Sequence, residues 1–543
     1  MKKNRRSMSL IILFVFIFSF TLVGCGEQNA TGPEVEEAQD TEPIIISLAG
    51  GDWGFPNPFA QHPRKWGGFY TDFIFDTLIY VDENGSIPWL ASDWEVKDAG
   101  TRYIFNLREN VKWQDGESFT ADDVIFTFNY FKEKNITRFD VAVVKDIKKL
   151  SDYKVEFEMN EPILLSINKV FEDTNIVPEH IWKNVDDPKK YHTTNSKEAA
   201  IGTGPYILAD YQQEHGTYRF IRNEDFWGGV PRVAEINTIP TSEPVLSLLN
   251  GDIAEADITQ QDLAAFEDKS QFEILESVPY KTQWLCFNLE DPILKDVNFR
   301  HAVAYAVNQQ EILDRICMGK GIIASQGFVP ETHPLYNPDV SKYPYNPEKA
   351  GQILDELGYK DTDGDGIRED KSGNALKFQL LTTKKTVRNA ELVKNQLSKV
   401  GLDLEIKSNE MSVIDELINN GQFQIILQFG GVQQLGGDPD YLRAWLAPQE
   451  ARSLFSPYGY NNSEFNELAE KQRIEVDSEK RQAMLFEMQK ILSDDIPNYY
   501  ICGDSVYNAY NKEIYDGWFY AAGSGLPDVS KLVYIRGKKA DKE

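Results

Sequence analysis

The stretch Gln283–Asn308, QWLCFNLEDPILKDVNFRHAVAYAVN, constrains this chain most. Trp284–Phe287 is a short apolar run with β character, closed by Asn288. An acidic loop containing Pro292 follows. Phe299, Val303, Ala306 and Val307 then recur at i, i+4, i+7 and i+8, the spacing of one face of an amphipathic helix. A strand–loop–helix junction is common anywhere, but this one falls mid-chain, between two blocks that each read as an α/β domain. We therefore read it as the crossover between two lobes. A chain of 543 residues is in any case too long for one core.

The block after the crossover is the more legible. Leu376, Phe378 and Leu380 alternate on a strand, and Val393, Leu397 and Val400 share a helix face within Thr386–Val400, which Gly401 ends. Leu402, Leu404 and Ile406 alternate next. Val413–Ile418 is helical, Gly421 stops it, and Phe423–Phe429 reads as a buried strand. The order is β-α-β-α-β, and open parallel sheets bind ligands beyond the carboxyl ends of their strands. The loop Gly430–Asp440, GGVQQLGGDPD, is thus either a cleft wall or a mobile glycine-rich surface loop. Its glycines, Gly430 and Gly431 first, let backbone approach a ligand closely.

The block before the crossover opens with a strand at Ile44–Leu48. The loop Ala49–Pro63 follows, and its Trp53 and Phe55 either line a cleft or pack down. His62 is a loop histidine. Tyr103, Phe105 and Leu107 alternate, Thr120 precedes Ala121-Asp122-Asp123 as a helix N-cap, and Tyr153–Met159 alternates again. These predict an α+β subdomain at about 85–200. Gly202–Gly229 reads as turn chemistry. The strands and helices between Glu235 and Val278 then predict a wound α/β sheet.

Composition bounds the rest. With 41% hydrophobic and 12% aromatic residues the chain is globular, and a net charge of −29 argues against nucleic-acid binding, which needs a basic footprint. Lys2, Lys3, Arg5 and Arg6 precede an apolar run, Met8–Val23, of signal-peptide length. That run ends in Leu22-Val23-Gly24-Cys25, which resembles a bacterial lipobox and implies cleavage before a lipid-modified Cys25; an uncleaved anchor is the alternative. Cleavage removes four basic and no acidic residues, taking the charge from −29 to −33. Glu27–Pro43 has almost nothing to bury and reads as a disordered tether.

Three cysteines remain, Cys286, Cys317 and Cys502, an odd number. Cys286 and Cys502 are near enough in the expected crossover to be neighbours; buried free thiols are the other state. In Asp361–Asp370, DTDGDGIRED, Asp361, Asp363, Asp365 and Glu369 stand at positions 1, 3, 5 and 9 of the first half of an EF-hand-type loop, with Gly366 at 6. Position 12 is Ser372 where a bidentate glutamate belongs, so the segment is either a structural calcium site or a solvated acidic turn. The sequence carries no G-x-S-x-G elbow, no P-loop and no G-x-G-x-x-G after a strand, and no nucleotide or redox cofactor is expected.

Phe299-Arg300-x-Ala302-x-x-Tyr305-Ala306-x-Asn308 resembles a signature of the family 5 solute-binding proteins, the receptors of peptide, nickel and oligosaccharide ABC importers. Tyr103–Phe128, Gly202–Tyr206 (GTGPY), Asn223–Pro231 (NEDFWGGVP) and Asp438-Pro439-Asp440 follow that family's order over roughly residues 44–536. The resemblance implies an α/β, two-lobed, periplasmic-binding-protein-like fold (type II, cluster C) with an extra α+β subdomain in lobe I. On this basis residues 1–24 are a signal peptide, 25–43 a tether, 44–282 lobe I, 283–504 lobe II with a hinge strand at each end, and 505–543 a return to lobe I. It further implies a monomeric, non-enzymatic receptor on the extracytoplasmic face, serving a permease and its ATPases. Ligand would lie between Trp53, Phe55, Trp284 and Asn288 on one side and Gly430, Gly431, Asp438, Asp440, Tyr441 and Trp445 on the other. In peptide-binding members an aspartate in this loop takes the ligand's α-amino group; here Leu435 stands at its place, leaving Asp438 or Asp440 as substitutes. The ligand class stays open between oligopeptide, oligosaccharide and nickel chelate. A surface-anchored hydrolase and a signal-sensing module are the readings from other classes.

Overall fold

A computed structural model describes residues 42–60, 68–136, 141–162, 170–431, 438–447, 458–521, 527 and 530–537. Residues 1–41, which hold the expected leader, Cys25 and all but the last two residues of the expected tether, lie outside these residues, as do His62 and Leu435. Among the described residues no helix is long and apolar enough to cross a membrane.

Ten strands build the first part: β1 (Ile44–Gly50), β2 (Ile79–Asp82), β3 (Gly85–Pro88), β4 (Ala91–Lys97), β5 (Arg102–Leu107), β6 (Val144–Ser151), β7 (Lys154–Met159), β8 (Tyr206–Gln212), β9 (Thr217–Arg222) and β10 (Val233–Pro240). They form a sheet of order β1-β10-β9-β8, an antiparallel sheet of order β4-β5-β7-β6, and the hairpin β2-β3. In the first sheet β1 and β10 run parallel, while β10, β9 and β8 are antiparallel. Of the strands expected to form a wound sheet between Glu235 and Val278, only Val233–Pro240 lies in this sheet, while Glu255–Ile258 and Phe272–Phe287 pair with Asn498–Asn511 in another. The hairpin β8-β9 lies inside Gly202–Gly229, where turn residues masked the alternation of Tyr206, Tyr218 and Phe220, all buried. Glycine is required just before β8: a Cβ on Gly202 or Gly204 would come within 1.8 or 2.5 Å of the Ile74 carbonyl oxygen.

The helix Ala121–Glu133 starts as the sequence predicts. Thr120 Oγ1 accepts from Asp122 N, and Asp123 Oδ2 accepts from Thr120 N. Its buried face, Val124, Phe128 and Phe131, meets Phe105 and Phe157 of the second sheet. One cluster joins these to Phe220 and Ile236 of the first sheet, to Phe73 of the helix Gly68–Ile74, and to Trp518, Leu532 and Tyr534 near the C-terminus. The four-stranded sheet at about 85–160 thus shares a continuous core with the rest of lobe I.

The remaining strands are β11 (Glu255–Ile258), β12 (Phe272–Phe287), β13 (Ile322–Ile323), β14 (Lys377–Thr382), β15 (Asp403–Ser408), β16 (Ile425–Gly431) and β17 (Asn498–Asn511). They form one sheet, ordered β11-β17-β12-β16-β14-β15, with β13 on β17. Parallel β15, β14 and β16 with the helices Val387–Ser398 and Met411–Asn419 make the expected β-α-β-α-β unit. The helix Val297–Ala306 is anchored by Arg300, whose buried guanidinium donates to the carbonyls of Leu294, Lys295, Asp495 and Ile496. That ties the start of lobe II to the helix preceding β17.

β12 and β17 cross between the lobes. Leu275, on the first half of β12, packs with the lobe I cluster, and Trp284–Phe287 pack into two lobe II clusters. The sequence breaks this strand at Val278 and restarts it at Gln283, whereas it is continuous. Its ladder with β17 is interrupted where Ser277 faces Val506 and Lys281 faces Asp504. Three residues, 278–280, thus oppose one. Pro279 sits in this bulge, where a residue without an N–H costs no ladder bond.

Candidate functional site

Two of the parallel strand pairs, β1/β10 and β14/β16, each deliver a loop from a carboxyl end, the place where such sheets bind ligands. The loop after β1 is fastened to lobe I. Tyr211 Oη donates to Asp52 Oδ1, Trp53 N donates to Tyr218 Oη, and Tyr218 Oη donates to Gly54 O. Asn57 Oδ1 accepts from Phe59 N and Ala60 N. Phe55 is buried, stacked on His192 with centroids 4.9 Å apart, and burial holds that imidazole's pKa down. Trp53 is half-buried against the lobe I core. Of these two candidates Trp53 keeps exposed surface, and Phe55 is a packing residue.

The end of β16 lies against the crossing strands. Phe429 faces Gln283, Gly430 faces Thr282, and Gly431 faces Lys281. Gln283 is fixed from behind by Asn389 Nδ2, which donates to its Oε1. Phe429, which the sequence analysis passed over as a site residue, is 42% exposed at this strand end.

Several candidates are committed elsewhere. Trp284 is 1% exposed and packs on Phe328 and Tyr500, whose own rings stack 4.3 Å apart. Tyr441 is fully buried; its hydroxyl donates to Phe328 O at 3.3 Å and its ring meets Phe328 edge-on. Burial pushes its pKa up, so it stays a neutral donor. Asn288 donates to Phe423 O and Gly421 O and accepts from Glu290 N, which consumes its amide in pinning the Gly421 turn. Trp284, Tyr441 and Asn288 therefore support lobe II from within. Phe328, the ring that Trp284 and Tyr441 share, has a positive φ of 67°, a strained conformation for a bulky residue that the packing around it holds.

Asp438 and Asp440 are likewise engaged. Asp438 forms a two-pronged pair with Arg481, at 2.6 and 3.1 Å, and caps Asp440 N. Asp440 pairs with Arg443 at 2.8 and 2.6 Å and accepts from Gln472 Nε2 at 2.7 Å. Gln472 Oε1 in turn accepts from Arg481. These carboxylates already carry arginine partners, so neither Asp438 nor Asp440 offers an unpaired charge for an α-amino group. Arg481 and Gln472 lie over 30 residues downstream on helices whose outward spacing gave no hint of this role. Residues 432–437, between β16 and Asp438, and the Trp445 side chain lie outside the described residues.

Elsewhere, Asp361, Asp363, Asp365 and Glu369 bring their carboxylate oxygens within 4.8 Å of one another. Asp361 also accepts from Gly364 N and Gly366 N, shaping the loop. Cys286 faces Asn498 in the ladder, while Cys502 faces Gln283; the two thiols pack on opposite sides of the sheet and form no disulfide with each other, and Cys317 is buried. A depression of about 690 Å³ on the outer sheet of lobe I, floored by Arg108 stacked on Trp227, contains none of the site candidates.

Two lobes joined by a paired strand crossing, with loops from parallel strand ends, define a two-lobed binding protein. The sequence profile of the bacterial extracellular solute-binding proteins, family 5, matches residues 86–453, and the chain belongs to that family. It is 26% identical over 439 residues to the oligopeptide-binding protein AppA of Bacillus subtilis (77% of this chain, 79% of that one). It is also 26% identical over 455 residues to the nickel-binding periplasmic protein of Escherichia coli (80% of each). The AppA structure with a nonapeptide superposes with a TM-score of 0.74 at 23% identity, covering 91% of this chain and 99% of that one. A mannohexaose-bound oligopeptide-binding protein of Thermotoga maritima gives 0.72 at 22%, covering 93% and 100%. The family comprises ABC-importer receptors for peptides, nickel chelates and oligosaccharides, and its members are binding proteins rather than enzymes.

Proposed function

We propose that this protein captures oligopeptides between its two lobes and delivers them to an ABC permease at the outer face of the cell membrane, tethered by lipid on Cys25. The observation that carries the reading is the crossing of β12 and β17. Two separate cores meet on one ladder, and the bulge at 278–280 lets that ladder bend. Ligand that contacts both lobes binds the closed form better than the open one, and that difference drives closure.

Peptide is favoured by what the end of β16 offers. Phe429 supplies exposed apolar surface and Gly430–Gly431 supply approachable backbone, a combination that suits an extended chain of varied side chains. With Asp438 and Asp440 held by arginines, affinity rests on backbone and apolar contact rather than on a fixed charge for the amino terminus. The nonapeptide-bound relative supports the same reading. Native mass spectrometry of freshly purified protein tests it: a co-purifying ladder of peptide masses is expected. A retained sugar or metal chelate, together with no calorimetric heat from nonapeptides, would sink it.

We also propose a structural calcium ion at Asp361, Asp363, Asp365 and Glu369. Carboxylate oxygens on this spacing suit a hard cation, and the loop lies in lobe II away from β16, so the ion would brace the fold without touching ligand.

A further inference from the structure

Glu161 follows β7 on lobe I. Its neighbour Asn160 fixes the backbone there, donating through Nδ2 to Ala142 O and through N to Val143 O. Arg473 sits in the last turn of the helix Ser463–Ile474 of lobe II, whose Phe465 and Ala469 are buried in the lobe II core. The two side chains meet across the lobes although 312 residues separate them. Both guanidinium NH groups of Arg473 donate to the two carboxylate oxygens of Glu161, one of them at 2.8 Å. Glu470 supports Arg473 from one turn back, at 3.2 and 3.3 Å. The pair is half-buried, with 20% of the Arg473 side chain and 36% of Glu161 exposed. A two-pronged arginine–carboxylate contact fixes orientation as well as distance.

The residue next to Arg473 is Gln472, which is fully buried and bridges Asp440 and Arg481 at the base of the loop that leaves β16. One helix end therefore holds the candidate ligand loop with Gln472 and the opposite lobe with Arg473.

We propose that Glu161 and Arg473 are positioning residues that clasp the two lobes together and set the balance between open and closed forms, a role that rests on the receptor reading above. The pair exists only when the lobes approach, so its whole free energy acts on closure. A pair of this exposure shifts the open-to-closed ratio by about fivefold, and salt weakens it.

Energy transfer between fluorophores on Lys190→Cys in lobe I and Lys480→Cys in lobe II reads lobe separation in the mature protein without ligand; the three interior cysteines are buried. Glu161→Gln and Arg473→Gln are each expected to raise the open-to-closed ratio about fivefold. The exchanged pair, Glu161→Arg with Arg473→Glu, is expected to recover most of that. Ratios unchanged in both single variants overturn the clasp, as does an exchanged pair no more closed than either single variant. The readout needs no ligand, so a failure of nonapeptides to bind would remove the peptide reading and leave this result standing.

Discussion

Replacing Lys531 by Met tests what holds the C-terminal segment on lobe I. Lys531 is 1% exposed and Asp76 fully buried, and the ammonium lies 2.5 Å from Asp76 Oδ1. Asp76 also accepts from Trp89 Nε1 at 2.6 Å, Thr203 Oγ1 at 2.8 Å and Trp227 Nε1 at 3.0 Å, so every lone-pair direction is used. The ammonium rests over the rings of Tyr80 and Trp89, 4.7 and 5.0 Å from their centroids. Methionine matches the lysine stem in volume and leaves no cavity, so the change isolates the charge. Breaking a buried pair from one side costs about 3–5 kcal/mol, because the surviving ion keeps its desolvation penalty without its partner. For a lobe of this size that is roughly 6–10 °C in Tm. Calorimetry should show the loss on the lobe I transition, with the lobe II transition in place. A drop of less than about 1 kcal/mol would mean that three neutral donors suffice to satisfy Asp76 without the ammonium, and the charge argument would fail.

Three further outcomes are expected. Burial pushes the Glu172 carboxyl up to about 7, so the native state holds its proton while the unfolded chain, near 4.5, has released it. Stability from this group is full at pH 4 and is lost as pH rises toward 7. Glu172→Gln should therefore match wild type at pH 4 and exceed it by about 1–3 kcal/mol at pH 8 in urea unfolding; a gain that does not change with pH refutes this. Calcium at millimolar concentration should raise the Tm of wild type and not of Asp363→Asn, and equal curves in both would remove the ion. N-acetylation of a bound nonapeptide should change its affinity less than threefold, since Asp438 and Asp440 are already paired; a hundredfold loss by calorimetry would reinstate an amine anchor.

The parts of this fold legible in the sequence are those where one local pattern has one meaning. The β-α-β-α-β unit is fixed by alternation at Leu376–Leu380 and Leu402–Ile406 and by helix stops at Gly401 and Gly421, and Thr120 with Asp123 announced a helix start. Legibility fails where the deciding partner is distant. Trp284 and Tyr441 read as aromatics beside a cleft, but Phe328 and Tyr500 enclose them. Asp438 reads as a free carboxylate because Arg481 is 43 residues away. Alternation gives the two faces of β12 without saying which meets solvent, and a bulge within it resembled a strand end. The Glu161–Arg473 contact leaves no local mark at all.

The chain's return to lobe I sets an order of assembly. Lobe II is built from one unbroken stretch between the two crossing strands, so it can close as soon as that stretch exists. Lobe I cannot. Its core takes Trp518 and Leu532–Ile535 from the last residues, and Asp76 waits for Lys531, 455 positions later. A chain made from its N-terminus therefore holds its first lobe unfinished until residues 531–535 have been added, with apolar surface uncovered and a buried carboxylate unpaired. Loss of even the helix Lys531–Ile535 would leave a finished second lobe attached to a first that never sets.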